Sequence, residues 1–174
     1  MRILITGIAG FIGFHATRQL TAAGNEVVGI DNINNYNNEG LKPARLAHLG
    51  INTGGLQYGQ STANADGNIR FIKLDISDRE LLPMVFGQYH FDAVLNLAAQ
   101  ANTRQSISNP FVYVDSNVGG FINVLECCRN AGVPHVVYAS SSSVYGDIAT
   151  PPFVENDSTD NQRNLLKAIA KASP

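Results

Sequence analysis

Short, almost unbroken apolar runs recur along this chain and are separated by segments of different period. Arg2–Thr6, Glu26–Ile30, Ile69–Leu74, Ala93–Leu97 and Val136–Ser140 are runs of this kind. Their length and lack of polar alternation predict strands buried on both faces. Phe11–Ala23 has helical spacing instead, with Gly24 placed to end the helix. Val112–Ala131 carries Val114, Val118, Phe121, Ile122 and Leu125 at helical spacing, and Gly132 follows. Strands alternating with helices predict an α/β fold, a parallel sheet covered on both faces, and right-handed crossovers make it doubly wound. Asn52–Asn68 is rich in Gly, Asn, Gln, Ser and Thr and predicts a surface loop, as do the five asparagines within Asn32–Asn38. Leu165–Ala172 has the character of a helix start, and no sixth apolar run follows it before Pro174. The expectation is one domain over residues 1–174 whose sheet is incomplete at its C-terminal end.

Composition narrows the function classes. A chain of 174 residues supports one domain with a proper core. With 44% hydrophobic and 15% charged residues it has the make-up of a globular protein. A net charge of −2 gives no electrostatic reason to expect nucleic acid or an anionic membrane as partner. No run approaches the roughly 18 apolar residues of a membrane span. Met1 leads directly into Ile3–Ile5 without the basic start and cleavage site of a secretory signal. Cys127 and Cys128 are adjacent, a spacing that rarely bridges and suits no metal, so reduced thiols and a cytoplasmic location are expected. His15, His48, His90 and His135 share no spacing and read as structural or exposed.

The candidate chemistry begins at the first strand–helix junction. Thr6-Gly7-Ile8-Ala9-Gly10-Phe11-Ile12-Gly13 has the spacing Gly-x-x-Gly-x-x-Gly. In that context Gly7 allows a tight turn, Gly10 lets a pyrophosphate approach the backbone, and Gly13 lets the helix pack closely on the sheet. The helix start then offers free N–H groups and its positive dipole end to the anion. Asp31 ends the second strand 18 residues after Gly13, near the offset of the acid that binds an adenosine ribose. A carboxylate there opposes a 2′-phosphate and favours NAD over NADP; a solvated strand-end aspartate is the plain alternative. Asp75, after the third apolar run, is placed to reach the adenine or to serve as a turn aspartate. The small residues of Leu97-Ala98-Ala99-Gln100 let the backbone approach a cofactor.

These stretches, followed by Tyr113-Val114-Asp115-Ser116-Asn117 and Ser140-Ser141-Ser142-Ser143-Val144-Tyr145-Gly146, resemble the NAD-dependent nucleotide-sugar epimerases and dehydratases of the extended short-chain dehydrogenase/reductase family. Gly29–Asn34, Leu41-Lys42 with Arg45-Leu46, and Arg104 with Ser106 and Asn109-Pro110 are similar to its UDP-glucuronate 4-epimerase branch. The likeness runs from Arg2 to about Asp160. It implies that Phe11, Ile12, Asn32, Ile76, Asn117 and Lys171 join the cofactor contacts, and that Arg104, Ser142, Ser143 and Tyr145 face a UDP-uronate substrate. It implies a cycle in which a tyrosine takes the proton of the sugar 4-hydroxyl while C4 passes hydride to NAD. Ser141 would hold the reacting oxygen, and a lysine would bind the nicotinamide ribose and lower the tyrosine pKa. It also implies pairing of two copies through the long helices after the fourth and fifth strands. On the residues alone, Ser140–Ser143 also reads as a polar strand end, Tyr145 as packing and Arg104 as a surface cation.

The sequence departs from the family at its acid–base pair, Tyr-x-x-x-Lys. The matching stretch is Lys167-Ala168-Ile169-Ala170-Lys171, with Lys171 on the lysine and Lys167 where the tyrosine belongs, and no tyrosine occurs after Tyr145. The expectation is the NAD domain of a 4-epimerase, with no substrate domain and no complete active site in these 174 residues. A non-catalytic NAD-binding module with a regulatory or assembly role, and another NAD-dependent dehydratase or oxidoreductase, are the competing readings.

Overall fold

A computed structural model of the chain describes residues 1–34, 40–101, 109–145 and 152–157, with the side chain of Ser143 excepted. The elements are β1 (Arg2–Thr6), α1 (Phe11–Ala22), β2 (Glu26–Asp31), α2 (Leu41–His48), β3 (Ser61–Ala63), β4 (Ile69–Lys73), α3 (Leu81–Gln88) and β5 (Ala93–Asn96). A long helix follows in three parts: α4 (Pro110–Tyr113), a π-helical stretch (Val114–Gly120) and α5 (Phe121–Ala131). Beyond it lie β6 (Val136–Tyr138) and a 3₁₀ turn (Ser142–Tyr145). The strands form one sheet in the order β3-β4-β2-β1-β5-β6. Every pairing is parallel except that of β3 with β4. This is the doubly wound α/β sheet that the apolar runs predict. No helix among the described residues is long and apolar enough to cross a membrane.

Alternate strand residues feed two cores. Leu4, Val28, Ile72 and Val94 meet Leu82 and Phe86 of α3 and Val124, Cys127 and Cys128 of α5. Ile3, Ile5, Val27, Phe71 and Ala93 meet Leu46, Leu49 and Ile51 on the opposite face. A period of two in a strand sends neighbouring side chains to opposite faces, so an unbroken apolar run serves both cores at once. Cys127 and Cys128 are free and buried, and burial raises both thiol pKa values, Cys128 to about 11. All four histidines are exposed.

Four expectations need correction. The Asn52–Asn68 segment is not loop throughout: Ser61–Ala63 pairs antiparallel with β4. Its polar side chains carry no strand signal, because it lies at a sheet edge and pairs through its backbone. The long helix is not one regular α-helix, since its middle widens to π geometry. Its apolar stripe also turns mostly outward, with Val118 and Phe121 half-buried. Val114, Ile122 and Leu125 are exposed, whereas Tyr113, Asn117, Gly120, Val124, Cys127 and Cys128 pack inward. The two stripes differ by one residue in register, and the inward one holds the smaller and more polar side chains. Finally, β6 is not doubly buried: Val137 and Tyr138 are exposed.

Candidate functional site

The loop after β1 is built by close approach. Gly7 has φ +71°, and its N–H donates to the Ile30 carbonyl at 2.8 Å. A Cβ on Gly7 would stand 3.0 Å from both Cα and N of Ala98, so this residue lets the ends of β1 and β5 meet. A Cβ on Gly13 would stand 2.3 Å from the Gly7 carbonyl oxygen, which fixes α1 directly against the loop. Gly10 begins α1 in an extended conformation, and neither a capping side chain nor an acidic residue occupies the first turn. The turn therefore presents backbone donors and a positive dipole end. Phe11 and Ile12 are exposed at its rim.

One flank of the cleft is ionic. Asp31 is only 6% exposed, which rejects the solvated reading. Its Oδ2 accepts the Ala9 N–H at 3.3 Å, and its Oδ1 accepts the Ile33 N–H at 2.8 Å and Lys42 Nζ at 2.9 Å. Lys42 reaches across from α2 and also donates to Asn34 Oδ1 at 2.8 Å. One turn further along α2, Arg45 Nη1 donates to the Ala9 carbonyl at 3.2 Å, with its guanidinium over the Phe11 ring. Asp75 is the turn aspartate of its plainer reading, with one oxygen left on the cleft side. Its Oδ1 closes a turn by accepting the Ser77 N–H and hydroxyl, and its Oδ2 accepts Asn32 Nδ2 at 2.6 Å on the cleft side. Behind it, Asp78 accepts the N–H groups of Leu81 and Glu80 at the start of α3, and these bonds hold its carboxyl below the usual aspartate range.

The opposite flank is Leu97–Gln100, pinned at both ends. Thr6 Oγ1 accepts the N–H groups of Leu97 and Ala98, each at 3.0 Å, and donates to Asn96 Oδ1 at 2.6 Å. Asn117 grips the far end with a two-way clamp. Its Oδ1 accepts the Gln100 N–H at 2.7 Å, and its Nδ2 donates to the Gln100 carbonyl at 3.0 Å. The π-helical stretch that carries Asn117 lies close over Ile76, where a Cβ on Gly120 would come within 2.7 Å of Ile76 Cγ1. Asn96 Nδ2 and Gln100 Oε1 are buried without a hydrogen-bond partner among the described residues.

A single cleft thus gathers Gly7, Gly10, Asp31, Asn32, Asp75, Ile76 and Leu97–Gln100. Phe11, Ile12 and Gly13 are not among its lining residues, and Asn117 stands behind Gln100 rather than in the cleft. Lys42, Asn34 and Ser116 line it as well, in addition to the predicted site residues. The sequence holds one signal for Lys42: it lies three residues before Arg45 on a short helix, so both cations share a face. Ser141 is half-buried beyond β6, where Ala139 N–H still donates to the Asn96 carbonyl. Ser142 is exposed, and Tyr145 stacks on Phe153 with centroids 5.1 Å apart. None of these three is among the residues that line the cleft. Arg104, Lys167 and Lys171, and the side chain of Ser143, lie outside the described residues.

Three comparisons bear on this arrangement. Residues 3–168 match the model of the NAD dependent epimerase/dehydratase family. Protein CapI of Staphylococcus aureus is 40% identical over 173 residues, 99% of this chain and 47% of that protein. UDP-glucuronate 4-epimerase 4 of Arabidopsis thaliana is 41% identical over 171 residues, 98% of this chain and 36% of that protein. The crystal structure of UDP-glucuronic acid 4-epimerase from Bacillus cereus, in complex with UDP-glucuronic acid and NAD, superposes with a TM-score of 0.75 at 28% identity, covering 99% of this chain and 49% of that one. The chain spans about half the length, or less, of these relatives.

Proposed function

Because the chain belongs to the NAD dependent epimerase/dehydratase family, we propose that its cleft holds NAD and that it supplies the cofactor half of a nucleotide-sugar 4-epimerase of the UDP-glucuronate type. The observation that carries this reading is the convergence of an uncapped helix start, a buried carboxylate and a pinned small-residue wall on one cleft. The residues fit the dinucleotide. The first turn of α1 suits the pyrophosphate, and Gly7 and Gly13 occupy positions where a Cβ would collide with backbone. Asp31 suits the adenosine ribose, and Asp75 with Asn32 suits the adenine edge. Leu97–Gln100, held by Thr6 and Asn117, suits the nicotinamide side. The chemistry the cofactor supplies when bound is reversible acceptance of hydride from sugar C4.

The chain's own part is to fix that geometry. Ser141, which follows β6 three residues beyond Tyr138, supplies a hydroxyl for the reacting oxygen. Lys171 supplies the ribose-binding cation. Lys167 stands in the place of a general base, whose loss costs on the order of 10²–10⁴ in rate. We therefore expect no conversion of UDP-glucuronate by residues 1–174 by themselves. Phe111 (76% exposed), Ile122 (54%) and Leu125 (38%) form an outward apolar row on the long helix and suit pairing with a second copy.

Calorimetric titration with NAD tests the reading. Saturable binding that Gly13→Ala abolishes is the expected result. No binding by the folded parent chain overturns the cofactor assignment. The uronate assignment is tested by joining Lys167→Tyr to the second half of a UDP-glucuronate 4-epimerase. Failure of this chimera to turn over UDP-glucuronate, while it converts another UDP-sugar, overturns that assignment alone.

A further inference from the structure

The buried carboxylate at the ribose edge does not act as a lone negative charge. Asp31 Oδ1 is bound to Lys42 Nζ at 2.9 Å, and the two side chains are 4% and 23% exposed. Among the described residues Lys42 donates to two acceptors, Asp31 Oδ1 and Asn34 Oδ1 at 2.8 Å, against the three protons that an ammonium carries. It comes from α2, an element outside the glycine loop, and lines the cleft beside Asp31. Asp75, the other carboxylate on this flank, is engaged by Ser77 and Asn32. The next cation along α2, Arg45, is committed to the Ala9 carbonyl.

We propose that Lys42 is a specificity-determining residue for the 2′ position of the adenosine ribose. This rests on the reading that the cleft holds NAD. A carboxylate alone excludes a 2′-phosphate by repulsion between like charges in a poorly solvated site. Here the ammonium neutralises that carboxylate and carries a third proton that an oxygen at the 2′ position can accept. The discrimination against NADP is then set by the Asp31–Lys42 pair, and it is weaker than Asp31 by itself would impose. Lys42 also holds the Asp31 carboxylate in place, so it acts on both cofactors but far more on the one with the extra phosphate.

The test is calorimetric titration of the parent chain and of Lys42→Met, Lys42→Gln, Asp31→Asn and Arg45→Met with NAD and NADP. ADP and adenosine 2′,5′-bisphosphate serve as fragments that isolate the ribose edge. Lys42→Met should weaken NADP by roughly tenfold to a hundredfold, the worth of one charge-assisted hydrogen bond, and NAD by less than about threefold. Lys42→Gln keeps a hydrogen-bonding partner for Asp31 without the charge, and the same change in ratio from it separates charge from folding. Asp31→Asn should shift the ratio the other way. Rising salt should weaken NADP more steeply than NAD in the parent and not in Lys42→Met. If both lysine variants leave the NAD-to-NADP ratio unchanged, or Arg45→Met changes it as much, the assignment is wrong. If the parent binds neither cofactor, the cofactor reading itself has failed, a different outcome from an unchanged ratio.

Discussion

Asn117→Ala is the sharpest probe of how the cleft is held. The substitution removes both hydrogen bonds to Gln100, at 2.7 and 3.0 Å, without adding volume. Gln100 is 8% exposed, so its N–H and carbonyl would lose their partner in a place that water hardly reaches. Each buried polar group left unsatisfied costs about 1–3 kcal/mol, which sets the loss at roughly 2–5 kcal/mol. At about 2–4 °C per kcal/mol for a domain of this size, melting should fall by roughly 4–20 °C. Asn117→Asp separates the two bonds. It keeps an acceptor for the Gln100 N–H but turns a carboxylate oxygen toward the Gln100 carbonyl. Protonation restores a donor there, so this variant should lose less in mildly acidic than in alkaline buffer. The assay is thermal unfolding by circular dichroism, paired with NAD titration, in which both variants should bind at least about tenfold more weakly, as expected when a buried bond that positions the site is lost. If Asn117→Ala melts within about a degree of the parent and binds NAD equally well, the clamp neither stabilises the fold nor shapes the cleft.

Gly13→Ala places a methyl 2.3 Å from the Gly7 carbonyl oxygen, well over half an ångström inside van der Waals contact, and should cost about 1–3 kcal/mol in chemical denaturation. Gly87→Ala, in α3 with nothing within 4 Å, should be neutral or gain up to about 1 kcal/mol; equal effects at the two sites would refute the close-packing argument. Asp78→Ala should cost about 1 kcal/mol at neutral pH, because the carboxylate accepts two N–H groups at the start of α3. Its folded pKa is lowered, so that stability is present above the ordinary aspartate value and is lost as pH falls through the folded one. Parent and variant should therefore converge in acid, and a gap that persists there would contradict the assignment. Ile122→Lys with Leu125→Glu should convert a self-associating chain to a monomer in light scattering, and an unchanged mass would remove the outward row as a pairing face.

Much of the sheet and of the phosphate loop is legible in the sequence, for specific reasons. The strands β1, β2, β4 and β5 declare themselves because residues such as Ile3, Leu4 and Ile5 feed two cores and leave no polar position between them. The glycine loop declares itself because all three of its glycines stand where backbone would meet a side chain. α2 and α3 do not, since each is only eight residues long, carries a proline in its first turn and buries few apolar residues, Leu46 in one and Leu82, Val85 and Phe86 in the other. The inward face of the long helix is hidden for another reason. Hydrophobicity ranks Val114, Ile122 and Leu125 above Asn117, Gly120 and Cys127, yet the sheet requires small groups and a backbone clamp. Lys42 is only partly legible: its spacing from Arg45 puts two cations on one helix face, but its pairing with Asp31 exists only once α2 folds back over the end of β2.

The place of β1 in the sheet order has a kinetic consequence. It is made before either of its neighbours, yet it lies between β2 and β5, and its Ile3 pairs with Ala93. At about 5–20 residues per second, synthesis of the intervening stretch of roughly ninety residues takes on the order of 5–20 s. Through that interval β1 has β2 on one side and a bare row of amides and carbonyls on the other. Ile3, Leu4 and Ile5 must be sheltered by transient contacts or by a chaperone until β5 arrives. Long-range closure of this kind makes folding slow relative to helix formation. The same central position that puts Gly7 at the middle of the cleft therefore leaves the emerging chain most vulnerable at β1.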